Sequence, residues 1–396
     1  MQSRTARRFE LVQESATVAV ADMVKRLSAQ GVSVCDLGGG DPDFATAPHI
    51  VDAAERAMRQ GFTHYVSSRG IRPLLTAISR LLEERNGLDY DPLTEIIVTP
   101  SAKHAAYIAL LTILDPGDEL LVPSPSWVSY EAMVHMIGAV PVFVPLPAEG
   151  GFRLNRELLE AQVTPRTKAI LLNSPNNPTG HVMNRDEVEM VVHFAEERDL
   201  LIVSDEIYDR IVYDGSSAVS PAALPGARQR TITINGFSKA YAMTGWRLGF
   251  LAAPADIAAE ALKAHQHTVG CAGSFVQVAG VAALEGSQDI VDEMVREYDA
   301  RRKLVVDGLN SLPGILCPMP EGAFYAFPNV TGTGFANSVE FSTWLIEKAR
   351  VAVTPGSAFG PGGEGHVRLS FANSSEIISE AIERMRLALE SRVAAR

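Results

Sequence analysis

Cysteine and long apolar runs are scarce in this sequence. Its 396 residues include three cysteines, Cys35, Cys271 and Cys317, and no CxxC pair. This spacing excludes a disulfide framework or a cysteine zinc site and fits a reducing compartment. No segment approaches the roughly 18 apolar residues of a membrane span, and no apolar run follows the basic residues near the N-terminus. We therefore expect a soluble, unprocessed, cytoplasmic protein without membrane partners.

Positive charge is also in short supply. Lysine and arginine total 35 against 47 acidic residues, which gives a formal net charge of -12. Such a chain has no basic field to hold a polyanion, so nucleic acid is excluded as a partner. The nine histidines include no HExxH motif, and His265 and His267 are two positions apart, so they cannot share a helix face. No metal site is predicted.

Apolar residues make up 46% of the chain and fall into short β-branched runs. Seven runs predict strands, at 95–99, 119–123, 140–146, 168–173, 199–205, 230–236 and 248–253. Segments with helical spacing, such as 102–114 and 184–198, separate most of them. This alternation indicates an α/β fold with a mainly parallel seven-stranded sheet sandwiched by helices. Ligands bind such sheets where the strands end.

The length suits two domains. We expect an N-terminal arm and part of a small domain at 1–42, a large domain at 43–285, and a smaller α+β domain at 286–396. The arm has an apolar helical face that should pack on the C-terminal domain. This face carries Val20, Met23, Val24 and Leu27.

One glycine-rich segment is a false signal. GPGGEG at 360–365 satisfies the GxGxxG pattern, but a dinucleotide-binding fingerprint must follow a strand and open a helix. Here a strand-like segment, HVRLSF, comes next. A loop is the better interpretation.

The segment TPSAKHAAY joins a predicted strand to a predicted helix. Free backbone N–H groups and the positive end of the helix dipole converge at Ser101 and Ala102. This arrangement would make a phosphate cradle. The alternative is an ordinary serine N-cap.

A second motif, NSPNNPTG at 173–180, follows another strand. Its two prolines and its turn-forming residues predict a rigid loop, compatible with a cis-proline, that presents the Asn177 amide. The alternative is a turn without a further role.

In the third motif, LLIVSDEIYDRIVY, a buried strand runs directly into Asp205. A carboxylate at a buried strand end is costly unless it is paired, so a cationic partner is expected. Tyr208, one helical turn further, should project beside it. Alternatively, Asp205 caps the next helix.

The fourth motif, NGFSKAYAMTGWRLGF, places Lys239 among small and apolar residues, with Arg247 eight positions later. Together, the four motifs provide a phosphate cradle, an acidic group that needs a cationic partner, a lysine in an apolar environment and an arginine that can bind an anion. Pyridoxal 5'-phosphate (PLP) has a functional group that could bind to each of them. Lys239 would form a Schiff base with its aldehyde, and Asp205 would keep its pyridine nitrogen protonated.

Nearly the whole chain then resembles the class I and II aminotransferases of PLP fold type I, in the bacterial aspartate aminotransferase-like branch. The matching segments are SATVAV, GGDPDF, THYVSSRGI, VTPSAKHA, DPGDE, PSWVSY, NSPNNPTG, VSDEIY, SKAYAMTGWRLG, GAFY and HVRLSFA. The resemblance implies an aminotransferase that moves an amino group between an L-amino acid, aspartate or glutamate, and a 2-oxo acid by a ping-pong mechanism. It also implies a homodimer with active sites at the interface.

The resemblance assigns roles to single residues. The catalytic residues would be Lys239, Asp205 and Tyr208. The cofactor-binding residues would be Ser101, Ala102, Lys103, Trp127, Asn177, Asp205, Tyr208, Ser238, Lys239, Arg247 and, from the other subunit, Tyr65. The substrate-binding residues would be Gly39, Trp127, Asn177, Arg368, Lys103 and Ser15. Arg368 would grip the α-carboxylate as a bidentate fork, whereas the alternative for Trp127 is a core tryptophan.

Lys103 bears on the substrate because it lies in the first turn of a predicted helix, where the macrodipole disfavours a cation. A nearby anion is therefore expected. It could be the PLP phosphate, a protein carboxylate, or the distal carboxylate of bound aspartate or glutamate, and the likeness to the branch favours the last. The alternative is an exposed lysine.

Three features depart from the family pattern. Asp41 stands where relatives commonly carry Glu, Arg69 is unusual, and so is the segment HQHTVGCAGSFVQ at 265–277. We expect these near the substrate side chain, so the substrate stays open. A fold type I lyase of the β-elimination kind, or an aminotransferase of aromatic or specialised substrates, is the alternative. A PLP-sensing regulator is disfavoured, since about 40 residues precede the main domain and the charge is acidic.

Overall fold

The computed structural model describes residues 4–394. Its strands are β1 Cys35–Asp36, β2 Ile96–Thr99, β3 Glu119–Ser124, β4 Val140–Pro145, β5 Thr167–Asn173, β6 Leu201–Asp205, β7 Thr231–Gly236, β8 Gly249–Ala252, β9 Tyr325–Ala326, β10 Val351–Ala352, β11 Thr354–Pro355 and β12 Val367–Ser370. Its α-helices are α1 Ala16–Ala29, α2 Pro48–Arg59, α3 Arg72–Asn86, α4 Ala102–Ile113, α5 Ser129–Ile137, α6 Arg156–Glu160, α7 Arg185–Glu197, α8 Ala255–Thr268, α9 Ser274–Glu285, α10 Asp289–Asn310, α11 Ser338–Trp344 and α12 Ser375–Ala394. The seven predicted strands correspond to β2 through β8.

These seven strands form one sheet in the order β2-β8-β7-β6-β5-β3-β4. Only β8 runs against its neighbours, and the other adjacent pairs are parallel. The mainly parallel seven-stranded sheet is therefore confirmed. Because only β8 is reversed, the carboxyl ends of β2, β5, β6 and β7 lie at one edge of the sheet, where the predicted motifs follow them.

Alternate residues of the sheet face two separate helical layers, as the two-residue period of a strand requires. In β2, Ile97 packs with residues of α4, whereas Ile96 and Val98 pack with residues of α3 and α9. Every residue of β2, β7 and β8 is buried. The buried strands are thus covered on both faces, which explains the apolar runs of β2, β5 and β8.

The remaining strands lie outside this sheet. β1 pairs in parallel with β10, and β11, β12 and β9 form an antiparallel sheet. One apolar core continues from α4 through α10 to α12. The domain boundaries after residues 42 and 285 stay a prediction.

The N-terminal helix α1 packs as the sequence indicated. Val24 contacts Ile346 and Ala352, which confirms the predicted packing on the C-terminal part. The prediction for Met23 was wrong, because this side chain is 40% exposed. Met23 lies at the margin of the apolar stripe, where the neighbouring surface no longer covers it.

Two other sequence expectations can be compared with the fold. GPGGEG forms turns that lead into β12, which confirms the loop interpretation. Among residues 4–394, no helix combines the length and apolar character needed to cross a bilayer.

Candidate active site

Ser101 joins β2 to α4 at the edge of the sheet. Its Oγ accepts a hydrogen bond from His104 N at 3.3 Å, so it is the N-cap of α4. Its φ of 121° lies in a region that favours glycine. A Cβ at Gly249 would overlap Ala102 N, so only glycine lets β8 pass this close to the helix N-terminus. The cap and a tightly held helix N-terminus therefore coexist.

The loop after β5 is tied to the end of β6 through Asn173. Its Oδ1 accepts from Asn177 N at 2.9 Å, and its Nδ2 donates to Asp205 O at 3.1 Å. The Ser174–Pro175 peptide bond is cis. This loop presents Asn177, whose Oδ1 accepts from Arg368 Nη1 at 2.9 Å.

Asp205 is a buried carboxylate held by neutral donors. Tyr130 Oη donates to its Oδ2 at 2.8 Å, and Ile207 N donates to its Oδ1 at 3.2 Å. Burial raises the pKa of Asp205 to about 6, although these two hydrogen bonds and the charge of Lys239 act in the opposite direction. The carboxylate has donors but no directly bonded cation among residues 4–394.

The chain after Asp205 forms consecutive turns rather than a helix. Asp209 N donates to Glu206 O at 3.0 Å, and Ile211 N donates to Tyr208 O at 2.8 Å. The alternative of Asp205 as a helix cap was wrong, because no helix follows it, but Tyr208 lies near enough to Asp205 for the two side chains to interact electrostatically. Tertiary contacts override the local spacing here, because Tyr208 Oη bonds Tyr325 Oη at 2.9 Å.

Lys239 lies in a turn after β7, and its amine is buried. Its Nζ donates to Gly40 O at 2.5 Å. Burial lowers the pKa of Lys239 to about 8, and the charge of Asp41 opposes the shift. Repulsion from Arg368 and Arg247 lowers this pKa further. About a tenth of the amine is therefore neutral at pH 7, roughly several hundred times the fraction of an ordinary lysine.

Arg368, in β12, is 2% exposed. Besides its bond to Asn177, its Nη2 donates to Gly38 O at 2.6 Å, and its guanidinium lies 4.4 Å from the centre of the Tyr325 ring. Burial lowers the pKa of Arg368. Its Nε is buried without a hydrogen-bond partner among residues 4–394, so one strong donor stays available.

Lys103 and Arg247 add two further cations. Lys103 Nζ lies 4.8 Å from the centre of the Trp127 ring, and Arg247 Nη1 donates to Thr244 O at 2.7 Å. Burial and then the charge of Arg247 lower the pKa of Lys103. Within residues 4–394, no protein carboxylate pairs with Lys103, and its side chain is exposed and so accessible to a ligand anion. Trp127 is only partly buried, so it has surface for a ligand.

The other predicted residues differ in position. Ser238 is buried beside Lys239, and Gly39 is partly buried. Ser15 Oγ shares a hydrogen bond with Thr17 Oγ1 at 2.9 Å, and Tyr65 is 93% exposed. Within the described part of the chain, no hydrogen bond or ring contact joins Ser15 or Tyr65 to the residues around Lys239.

Sequence reasoning missed two tyrosines of the site. Tyr130 bonds Asp205, and Tyr325 lies between Tyr208 and Arg368. Both could have been noticed in the sequence, since Tyr130 is the last residue of the motif PSWVSY and Tyr325 is the last residue of GAFY. Nothing in either motif says what the hydroxyl contacts.

The unusual residues also have structural roles. Arg69 Nη1 donates to Thr94 O and Ile96 O, both at 3.0 Å, at the start of β2 and thus at the opposite edge of the sheet. In the unusual segment, His265 is buried, and its Nδ1 lies 3.1 Å from His104 Nε2. Asp41 Oδ1 accepts from Thr244 Oγ1 at 2.5 Å.

Known proteins share this architecture. Residues 32–385 match the family described as aminotransferase class I and II. An aspartate aminotransferase of Musicola paradisiaca is 48% identical over 378 residues, which cover 96% of this chain and 94% of the relative. Aromatic-amino-acid aminotransferase 2 of Thermococcus litoralis is 44% identical, over 97% of this chain and 98% of the relative.

A solved structure gives the same result. Aspartate aminotransferase from Thermus thermophilus with maleate has a TM-score of 0.93 at 39% identity, covering 98% of this chain and 100% of that chain. The expected resemblance is confirmed. By its sequence and its fold, this chain belongs to the class I and II aminotransferase family.

Proposed function

We propose that this aminotransferase uses PLP and takes an acidic L-amino acid, aspartate or glutamate, as amino donor. One observation carries the proposal, namely a cluster of cations with neutral partners. Its members, called the site cations below, are Lys103, Lys239, Arg247 and Arg368. Their polar partners within residues 4–394 are carbonyl oxygens, the Asn177 amide and the Trp127 ring. Arg368 is buried and Lys239 is partly buried, whereas Lys103 and Arg247 are exposed at the same site. A phosphate with two substrate carboxylates would offset the repulsion among these charges.

The donor set around Asp205 fits PLP. The pKa of this carboxyl is raised by burial, and a protonated pyridine nitrogen would supply the cation that favours its ionised form. The remaining contacts follow from position. Ser101, Ala102, Ser238 and Arg247 would bind the phosphate, Asn177 and Tyr208 would donate to the ring hydroxyl, and Trp127 would stack on the ring.

Different residues of this chain would have different roles in the reaction. When bound, PLP supplies an aldehyde that condenses reversibly with amines and a ring that withdraws electron density from the substrate Cα. Arg368 would hold the α-carboxylate, with its free Nε as an additional donor. The neutral amine of Lys239 would take the proton from Cα. Asp205 would keep a proton on the ring nitrogen, while Gly39 and Ser15 would line the substrate side.

Lys103 is the residue that we propose selects an acidic side chain. Replacing it with alanine should reduce kcat/KM for aspartate and glutamate by about tenfold or more, as expected for a lost charge-assisted contact. Alanine and phenylalanine should react as before. The assay is transamination by the holoenzyme with these four donors. Lys263→Ala is the matched control, since Lys263 pairs with Glu260 on the surface.

The outcomes separate the alternatives. An equal loss for all four donors would place Lys103 on the PLP phosphate, and no loss would make it a surface lysine. Either result contradicts the role of Lys103 in selecting an acidic side chain, whereas the acidic-substrate proposal itself is tested by wild-type turnover of the four donors. A second candidate, transamination of aromatic donors, is favoured by the relative from Thermococcus litoralis, and the phenylalanine arm tests it. With cysteine as an added donor, which carries a thiol leaving group on Cβ, release of ammonia, sulfide and pyruvate would instead reveal β-elimination.

We also propose that the protein forms a homodimer in which Tyr65 reaches the phosphate site of the partner. Support comes from its 93% exposure, since a large aromatic side chain in solvent is typical of an interface. Analytical ultracentrifugation should give a mass of two chains. A monomer with full activity would contradict this proposal.

A further inference from the structure

Behind the loop that carries Asn177, His181 bridges two carboxylates. Its Nδ1 lies 2.7 Å from Glu321 Oε2, and its Nε2 lies 3.1 Å from Glu187 Oε1. Arg153 joins the same carboxylates from the other side, with Nη1 donating to Glu187 Oε2 at 2.8 Å and Nη2 to Glu321 Oε1 at 3.2 Å. We call these four residues the His181 network. His181 and Glu187 are buried, whereas Arg153 and Glu321 reach solvent.

The geometry determines how many protons the imidazole holds. Ionised carboxylates only accept hydrogen bonds, so both ring nitrogens must donate, and only the imidazolium can do this. Burial alone would lower the pKa of His181, but the hydrogen bonds and charges of Glu187 and Glu321 outweigh it and raise this pKa. The charged groups that face His181 are Glu187, Glu321 and Arg153. Their charges balance only while His181 is protonated.

The network joins two segments of the chain. Glu321 Oε2 also accepts from Val182 N at 3.0 Å. Glu321 N and Gly322 N both donate to Gly180 O, at 2.9 and 2.8 Å. The loop 173–180 is therefore held against the segment that begins at Glu321 and leads into β9.

These two segments flank Arg368. Asn177, in the first, accepts from Arg368 Nη1, and Tyr325, in the second, lies against the guanidinium at 4.4 Å. His181 touches neither side chain, but its O accepts from Asn176 N at 2.9 Å. A change in the network thus reaches Arg368 through the backbone on both sides.

We propose that protonated His181 positions Asn177 and Tyr325 on the two sides of Arg368, so that loss of its proton weakens binding of the substrate carboxylate. The inference rests on the proposed function, in which Arg368 binds the α-carboxylate. His181 acts through its neighbours, which makes it a positioning residue.

The test uses maleate, a dicarboxylate that does not react, and the PLP-loaded protein. Its Kd is measured by calorimetry from about pH 6 to about pH 9, for wild type and for His181→Gln. In wild type, Kd should rise about three- to tenfold as His181 loses its proton. In His181→Gln, Kd should be high throughout, and this step should be missing. In turnover, KM for aspartate should follow Kd, with kcat unchanged within about twofold.

The histidine NMR spectrum provides a second readout. The signal that is missing in His181→Gln should titrate above the ordinary pKa of about 6.5. His193→Gln, which changes an exposed histidine of α7, is the matched control and should leave Kd and its pH dependence unchanged.

Glu321→Gln removes one carboxylate of the His181 network, and it replaces His181→Gln in the test if that variant does not fold. It should raise Kd for maleate and lower the pKa of His181. The proposal is overturned if Kd and its pH dependence are unchanged in the variants, or if His181 titrates at or below about 6.5. Failure of the acidic-substrate proposal would look different, because wild type would then bind maleate weakly at every pH while the histidine titration stayed as described.

Discussion

Two charge-rich regions lie on either side of the loop 173–180, and they differ in whether their charged side chains contact opposite charges. Within residues 4–394, the direct partners of the site cations are neutral, although the charges of Asp41 and Asp205 act on Lys239 without touching it. In the His181 network, every charge faces an opposite charge within 3.2 Å. The pKa values follow this difference, since burial lowers the pKa of Lys239 to about 8, whereas carboxylates outweigh burial and raise that of His181.

This contrast shows where ligands belong. Arg368, which is buried without a counter-charge, destabilises the protein until a ligand binds, whereas a paired charge holds chain segments together. Unpaired cations in a protein with net charge -12 therefore mark the ligand site more clearly than the number of charged residues does.

Removal of the Lys239 amine should have the largest effect of the changes that test this difference between the site cations and the His181 network. Lys239→Ala is expected to fold and to retain PLP through the phosphate and ring contacts, but to lower kcat roughly 10²–10⁴-fold, because the base at Cα is lost. Single-turnover kinetics and PLP absorbance after dialysis measure the two properties. Near-wild-type turnover would contradict the role of Lys239.

Asp205→Asn removes the buried negative charge and keeps its shape. The Kd for PLP should rise about 30-fold or more, which corresponds to roughly 2 kcal/mol, because the ring nitrogen loses its counter-charge. Titration of the apoenzyme with PLP measures this. Glu206→Gln is a matched control, since Glu206 is a buried neighbour that bonds Ser204 and Ser220 instead. Equal Kd values for the two variants would rule out the special role of Asp205.

Arg368→Lys replaces a planar fork with a point charge. We expect KM to rise for every amino donor, by about 10- to 100-fold, or roughly 1.5–3 kcal/mol. Steady-state kinetics with aspartate, alanine and phenylalanine test this. A rise confined to aspartate would mean that Arg368 binds the side chain rather than the α-carboxylate.

The smallest effect concerns the paired region and its dependence on pH. The hydrogen bond from His181, opposed by burial, holds the pKa of Glu321 at about 2, so its contribution to stability is present above about pH 4.5 and is lost as the pH falls through 2. The raised pKa of His181 has the opposite sign, because its contribution is complete below about pH 6.5 and is lost as the pH rises through the folded-state pKa.

The network should therefore stabilise the protein most between about pH 4.5 and pH 6.5. His181→Gln should lower Tm there by about 2 °C, and the difference should shrink at higher pH. Circular dichroism melts at several pH values measure it. A difference that is constant across pH would show that the charge on His181 does not contribute.

The sheet could be predicted because most of its strands are covered on both faces, so that their sequences are rich in apolar and β-branched residues. Lys239 and Asp205 were found for the related reason that each interrupts apolar sequence. A helical turn was wrongly predicted between Asp205 and Tyr208, because a turn and a helix begin with similar spacing. His181 gave no signal at all, since its partners are six and 140 positions away along the chain.

By itself, the sequence determined the α/β class, the strand order along the chain, the family and the residues that interrupt apolar runs at the strand ends. These properties depend on local hydrophobic pattern and on motifs that are contiguous in the chain. Only the tertiary structure decided which charges are paired, because that depends on which distant segments meet. Arg368 and Arg153 look alike as sequence, yet one has neutral partners and the other contacts two carboxylates. Coulomb interaction at 3 Å depends on position in space, which composition and spacing do not contain.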